Sequence, residues 1–241
     1  MSMLPKLQTP YKYDMTLPVL GKKFKYRPYL VKEEKALLMA NETKDRGAMI
    51  AAITDILDSC VEGLEANKLT MADVEFAFAH VRGRSAGEVV NIEIGCESCE
   101  QSVPLQINLL DVNVDRPEKA PGNAFEIDTG SDTWTVTLRW PTFESIGDAA
   151  ATEDESEVDT AFRVMADSLE TLRTSDQLYR FDEVTLEERI EFLDSLSSEQ
   201  MRPIRDFIEA MPQTKIDLDF TCPHCKVENH QKLKGLQNFF G

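Results

Sequence analysis

The sequence predicts an α+β fold, and three observations predict it. Two Cys-x-x-Cys pairs, Cys96-Glu-Ser-Cys99 and Cys222-Pro-His-Cys225, each interrupt a strand pattern. Period-two alternation marks two further hairpins, and helical spacing of apolar residues fills much of the remaining chain.

The cysteine pairs come first because their surroundings match. Before the first pair Val90, Ile92 and Ile94 alternate with Val89, Asn91 and Glu93, and Val103, Leu105, Ile107 and Leu109 resume the alternation after it. Before the second pair Ile216, Leu218 and Phe220 alternate with Lys215, Asp217 and Asp219, and a polar segment with Val227 follows. Both sites therefore read as strand, knuckle, strand. A Cys-x-x-Cys turn points two thiolates to one side, and two such turns facing each other supply the tetrahedral sulfur shell that zinc prefers, as in a zinc ribbon. The pairs are separated by 122 residues, far beyond the usual gap of roughly 15 to 20, so the ribbon is expected to be split by an insertion. Four thiolates leave no open position for water, so a Zn2+ ion held by Cys96, Cys99, Cys222 and Cys225 is structural.

A disulfide is disfavoured because nothing at the N-terminus resembles a secretory signal and five cysteines leave one over. A redox pair would open a helix after a strand, whereas strands follow both pairs. His224 and His230 lie near enough in sequence to replace a ligand, but four cysteines are simpler. Cys60 falls on an apolar helical stripe and reads as a small core residue.

The net charge of −17 is uneven. Between Pro141 and Phe162 there is no Lys or Arg, while Glu144, Asp148, Glu153, Asp154, Glu155, Glu157 and Asp159 fall there. That segment reads as a solvated acidic face, with a docking surface for a basic partner as the alternative. A field of this sign repels phosphate backbones, which weighs against nucleic acid as a partner. No apolar run approaches the roughly 20 residues needed to span a bilayer, so the expectation is a soluble, intracellular protein without a membrane.

In chain order, residues 11–31 predict a β-hairpin with Tyr11, Tyr13, Met15 and Leu17 on one strand and Phe24 and Tyr26 on the other. Lys23, Lys25 and Arg27 then share the opposite face. Two or three helices follow. Residues 31–42 carry Val31, Leu37, Leu38 and Met39, and residues 46–62 carry Met49, Ile53, Ile56, Leu57 and Cys60 at helical spacing. Thr70 begins a third, with Val74, Phe78 and Val81 on one face and His80 bordering it. Gly83 and Gly87 are expected to end it. Residues 111–123, with two prolines, read as an exposed connection. A second hairpin places Phe125 and Ile127 before the Gly130 turn and Trp134, Val136, Leu138 and Trp140 after it. Val158, Phe162, Met165, Leu169 and Leu172 then predict one long helical stripe. Thr185 with Glu188 and Ser197 with Gln200 match capping boxes, and Pro203 suggests a kink or a later start for the second of these helices. The terminal Phe239-Phe240 reads as packing back on the ribbon or as a hook for a partner groove.

The expected organisation is therefore an N-terminal β-hairpin and helical region (1–87), the first half of the ribbon (88–110), an inserted hairpin and acidic helical region (111–212), and the second half with the C-terminal tail (213–241). Catalytic signatures are lacking: there are three histidines, no Gly-rich phosphate loop, no Gly-x-Ser-x-Gly elbow and no His-Glu-x-x-His helix, so an enzyme is not expected.

The stretches Leu4-Pro5-Lys6-Leu7-Gln8-Thr9-Pro10, Leu17-Pro18-Val19-Leu20-Gly21-Lys22-Lys23 and Tyr26-Arg27-Pro28-Tyr29-Leu30-Val31-Lys32-Glu33-Glu34-Lys35 resemble the baseplate hub subunit family of T4-like contractile-tailed phages. The two cysteine pairs and the Gly-x-x-x-Phe-Phe ending, Gly235 to Phe240, are similar to that family as well. The resemblance implies a viral late protein of the central hub of the tail baseplate, made in the host cytoplasm and carried into the tail. Its implied partners are other hub proteins and the tape-measure protein. A transient assembly chaperone absent from the mature virion is the alternative, and a zinc-ribbon nucleic-acid adaptor, resting on the knuckles and the Lys23, Lys25, Arg27 face, is a third reading.

Overall fold

The structure is a computed structural model that describes residues 11–43, 45–116, 121–150 and 156–235. The chain forms two compact units: residues 1–66, 72–114 and 214–241 make the first, and residues 67–71 and 115–213 the second. The class is mixed α+β. Among the described residues no helix is long and apolar enough to cross a membrane.

The first unit opens with the antiparallel hairpin of β1 (Tyr13–Thr16) and β2 (Lys23–Tyr26), in which Met15 pairs with Phe24. Met15, Leu17, Phe24 and Tyr26 are buried, whereas Tyr11 is 89% exposed and lies outside the strand. Lys23 and Lys25 lie exposed on the opposite face as expected, but Arg27 does not join them. Lys23 pairs with Asp14 at 3.2 Å, and Arg27 folds inward onto the buried carboxylate of Glu33 at 3.0 Å and the Ser59 carbonyl. On α1 (Val31–Thr43) Leu37 is buried, while Val31, Leu38 and Met39 point to solvent. On α2 (Arg46–Cys60), capped by the Asp45 carboxylate, Ile53, Ile56, Leu57 and Cys60 are buried as their spacing requires.

The helix α3 (Met71–Ala86) is buried nearly all round, with Val74, Ala77, Phe78 and Val81 at its centre. Gly83 does not end it. That glycine lies inside the helix, where an added Cβ would stand 3.2 Å from the Leu110 side chain, so its role is close packing. Gly87, at φ +115°, makes the turn out of the helix. His80 is wedged beside Phe76 and Tyr26, with its Nε2 buried and without a hydrogen-bond partner among the described residues; burial holds its pKa below the usual value, so the ring is neutral. Asp73 is 1% exposed and accepts the backbone N–H groups of Val19 at 2.8 Å and Leu20 at 2.9 Å, which ties the hairpin turn to α3.

From α3 the chain enters β3 (Val89–Gly95), paired antiparallel with β4 (Ser102–Asn108). The connection expected to be irregular contains β5 (Asn113–Asp115), an edge strand of a three-stranded sheet completed by the strands Gln213–Thr221 and Glu228–Lys234.

The second unit contains β6 (Ala124–Asp128) and β7 (Thr133–Leu138), the predicted hairpin, followed by α4 (Phe143–Ala150) and α5 (Glu157–Ser168). Here the expected long helical stripe breaks. Leu169 and Leu172 belong not to α5 but to β8 (Leu169–Arg173), which pairs with β7 and with β9 (Leu178–Arg180) to complete a four-stranded sheet. Leu138 opposes Leu169 and Thr137 opposes Thr171, so Glu170 is the extra residue of a bulge. The bulge lets two leucines three residues apart face the same core, and that spacing imitates a helix. Both predicted capping boxes form, opening α6 (Leu186–Asp194) and α7 (Ser198–Glu209), and α7 runs through Pro203 from its first turn. Ile127, Val136, Leu138, Met165, Leu169, Leu193, Ile204 and Phe207 form the core, with Trp140 stacked on Phe207 at 3.9 Å between centroids. The chain then returns to the first unit as β10 (Gln213–Thr221) and β11 (Glu228–Lys234), an antiparallel pair.

Asp73→Ala removes the acceptor of two backbone donors and leaves a small cavity at the centre of the first unit. It is expected to lower the unfolding free energy by about 2 to 3 kcal/mol in urea titration, and Asp73→Asn by less, because one acceptor oxygen survives.

Candidate metal centre

The two knuckles adopt one backbone geometry twice. The N–H of Cys96 donates to the Gln101 carbonyl at 3.0 Å and that of Cys222 to the Val227 carbonyl at 2.9 Å. The Cys96 carbonyl accepts the N–H of Glu100 at 2.8 Å, and the Cys222 carbonyl that of Lys226 at 3.0 Å. This closing turn forces the residue after the second cysteine into the left-handed region, at φ +57° for Glu100 and +64° for Lys226. Two non-glycine residues hold a conformation disfavoured by about 1 to 2 kcal/mol each, so the surrounding bonds over-determine both turns.

Both turns aim backbone donors at sulfur. The N–H groups of Cys99 and Ser98 point at the Cys96 thiol and hold it down to about 6, and those of Cys225 and His224 lower the Cys222 thiol in the same way. The N–H of Gln101 pulls on Cys99, yet burial and the neighbouring thiols push it up to about 12. Four thiols this close cannot all ionise beside one another without a cation.

All four sulfurs lie within 4.8 Å of one another, with Cys96 and Cys225 at 3.7 Å and Cys99 and Cys222 at 3.7 Å. Zinc–sulfur bonds of about 2.3 Å at tetrahedral angles put the sulfurs about 3.8 Å apart, whereas a disulfide brings them to about 2.05 Å. The donor set and its spacing fit a tetrahedral metal ion. His224 is exposed and lies outside the cluster, and His230 is exposed and bonded through Nδ1 to Asp219 at 2.7 Å. Cys60 is not part of the cluster: burial pushes its thiol up to about 11, which fits the core role read from its spacing.

The strands beyond the knuckles also match position by position. Val103, Leu105 and Ile107 in β4 correspond to Asn229, Gln231 and Leu233 in β11, with the same burial order. The two polar exchanges are the residues that reach across. Asn229, 1% exposed, accepts the Glu97 N–H through Oδ1 at 3.0 Å and donates Nδ2 to the Val227 carbonyl at 3.0 Å. Gln231 donates to the Gly95 carbonyl at 2.9 Å. Sequence reasoning missed both; the available signal was an asparagine on the inward face of a strand whose counterpart carries valine. Val103, Leu105 and Phe220 close the apolar side of the cluster.

A family model described as T4 bacteriophage base plate protein matches residues 10–241. The chain belongs to this base plate family. Among its relatives, the baseplate hub assembly protein gp26 of Enterobacteria phage T4 is 20% identical over 230 residues, covering 95% of this chain and 98% of that protein. No solved structure matches the chain. The resemblance seen in the N-terminal stretches and the cysteine pairs thus extends over nearly the whole sequence. Base plate proteins of this family are structural and non-catalytic, and this chain is not an enzyme. Residues 4–10 of that resemblance, the run Glu153–Glu155 and Phe239-Phe240 lie outside the described residues.

Asn229→Leu takes the acceptor from the Glu97 N–H and leaves the Val227 carbonyl with the Cys222 N–H alone. An unfolding free energy lower by about 1 to 2 kcal/mol is expected, with faster amide exchange at Glu97 measured by NMR; unchanged exchange there would show that Asn229 does not hold the knuckle.

Proposed function

We propose that this chain is a non-enzymatic protein of the central hub of the tail baseplate, which binds other hub proteins during tail assembly on a scaffold stapled by one structural zinc ion. The convergence of four sulfurs from two knuckles on either side of the inserted second unit carries this reading. Cys96, Cys99, Cys222 and Cys225 would hold the ion, joining the two strand pairs into a split zinc ribbon. A closed sulfur shell supplies cross-linking and charge neutralisation, not catalysis. On this reading the functional parts divide as 1–87, 88–110, 111–212 and 213–241. The partners are other hub proteins, with the tape-measure protein as a candidate, and the chain works in the host cytoplasm and in the tail baseplate.

A second reading is supported by the phage T4 relative, a baseplate hub assembly protein. On that reading this chain also acts during assembly and is absent from the finished virion. Quantitative mass spectrometry of purified particles beside isolated baseplate intermediates separates the two. A fixed copy number in both is the expected result for a hub subunit. Presence in the intermediates alone transfers the role to an assembly factor, and absence from both removes the hub reading.

The metal is tested separately. The purified chain is expected to carry one zinc per molecule by elemental analysis, and Cys99→Ser or Cys222→Ser to lose it with several kcal/mol of stability, since structural zinc contributes on the order of 10 kcal/mol of folding free energy. A variant with all four cysteines replaced by serine that is as stable as the parent, with no metal in either, would sink the zinc assignment.

A further inference from the structure

The charge of the chain is concentrated in its second unit. Residues 67–71 and 115–213 hold 24 acidic and 10 basic side chains, so this unit supplies −14 of the total −17. Within it a groove of about 620 Å³ runs along the pair of helices α5 and α6, which pack together. Its apolar lining consists of two rails. Val158 and Phe162 stand four residues apart on α5, and Leu186 and Ile190 four residues apart on α6. Phe162, Leu186 and Ile190 rest against the core with their outer faces open, and Val158 is 64% exposed.

We propose that this groove docks a basic amphipathic helix of a protein partner. The proposal rests on the reading that the chain works by binding protein partners, and it names the surface and the chemistry of the segment bound. Two rails at four-residue spacing match the ridge that a helix presents through apolar residues at i, i+4 and i+7. From Leu186 to Asp194 the groove wall follows about 12 Å of helix, enough to seat roughly two turns. Asp159, Glu187 and Asp194 stand on the lining against one basic residue, Arg163. The groove therefore favours Lys or Arg flanking the apolar stripe. The Asp159 carboxylate also closes the capping box with Ser156, so that acidic group is fixed in place. A second copy of this chain is the less suited occupant, because its own second unit brings the same excess of negative charge.

The test uses the purified full-length chain and fluorescence anisotropy. The probe is a labelled Leu/Lys peptide about 18 residues long, with leucines at i, i+3, i+4 and i+7, beside a scramble of the same composition. The patterned peptide is expected to bind at least about tenfold tighter than the scramble, because charge alone treats the two alike. Glu187→Lys/Asp194→Lys should weaken binding at least about tenfold and flatten its salt dependence. Val158→Ser, an exposed position that does not threaten the fold, should weaken it about threefold. Glu126→Lys/Asp176→Lys, an equal charge change at exposed residues outside the groove, should stay within about twofold. Equal binding of the two peptides, equal loss in the two charge variants, or no binding at all overturns the proposal. So does self-association that disappears in Glu187→Lys/Asp194→Lys, which would make a second copy the occupant. A chain that fails this titration yet holds a fixed copy number in particles loses the groove and keeps its hub role. One that passes it and is missing from particles and intermediates does the reverse.

Discussion

The first unit depends on one constraint, the convergence of four cysteine sulfurs contributed by segments 122 residues apart. Closing a loop of that length costs about 4 kcal/mol of chain entropy, and bringing four thiols within 4.8 Å adds mutual repulsion once they ionise. Both costs fall on the same site. The backbone N–H groups of the knuckles offset part of the second by stabilising thiolate at Cys96 and Cys222, but the raised Cys99 thiol marks where backbone dipoles alone stop being sufficient. A divalent cation at the centre would offset the remainder, which is the physical ground for the proposed zinc.

The two knuckle-bearing strand pairs agree closely enough that their differences carry information. Both close the same turn with the same pair of backbone bonds, and both follow it with a strand whose burial order matches except at its last residue. At the two inward positions nearest the cluster, the first pair uses Val103 and Leu105 and the second uses Asn229 and Gln231. Two identical apolar faces would pack but would not fix which part of one knuckle meets the other. The amides do fix it, because Asn229 takes a specific N–H and Gln231 a specific carbonyl on the first knuckle. The polar groups set register, and the sulfurs and apolar side chains close around it.

The same comparison explains what could be read in advance. The strands β3, β4 and β10 were legible because each has one buried or half-buried face, so the period of two survives in the sequence. The helix starts at Thr185 and Ser197 were legible because a capping box is a local chemical event, complete within four residues. Strand β8 was not, since the bulge at Glu170 replaced the strand period with a three-residue spacing. Strands β5 and β9, three residues each, are too short to show any period. Helix α3 is buried on nearly every side, so its apolar stripe understated it and Gly83 imitated a terminator. At the site, the four cysteines announced themselves by type and spacing. Asn229 did not, because its role exists only across two strand pairs that the sequence places far apart.

Charge and packing divide between the two units in a way that bears on partner choice. The first unit carries 16 basic and 19 acidic residues and is nearly balanced, while the second holds almost all of the net charge. A uniform acidic field would attract any cationic surface within about a Debye length, roughly 8 Å at physiological salt, and would select none of them. Selection needs a short-range feature inside that field. The apolar rails of α5 and α6 are such a feature, because they reward a partner only when its hydrophobic residues recur at helical spacing. The field then governs how fast a basic segment arrives, and the rails govern whether it stays. Both features lie on the second unit and the cysteine cluster on the first, so the proposed partner selection and the proposed metal staple draw on different parts of the chain.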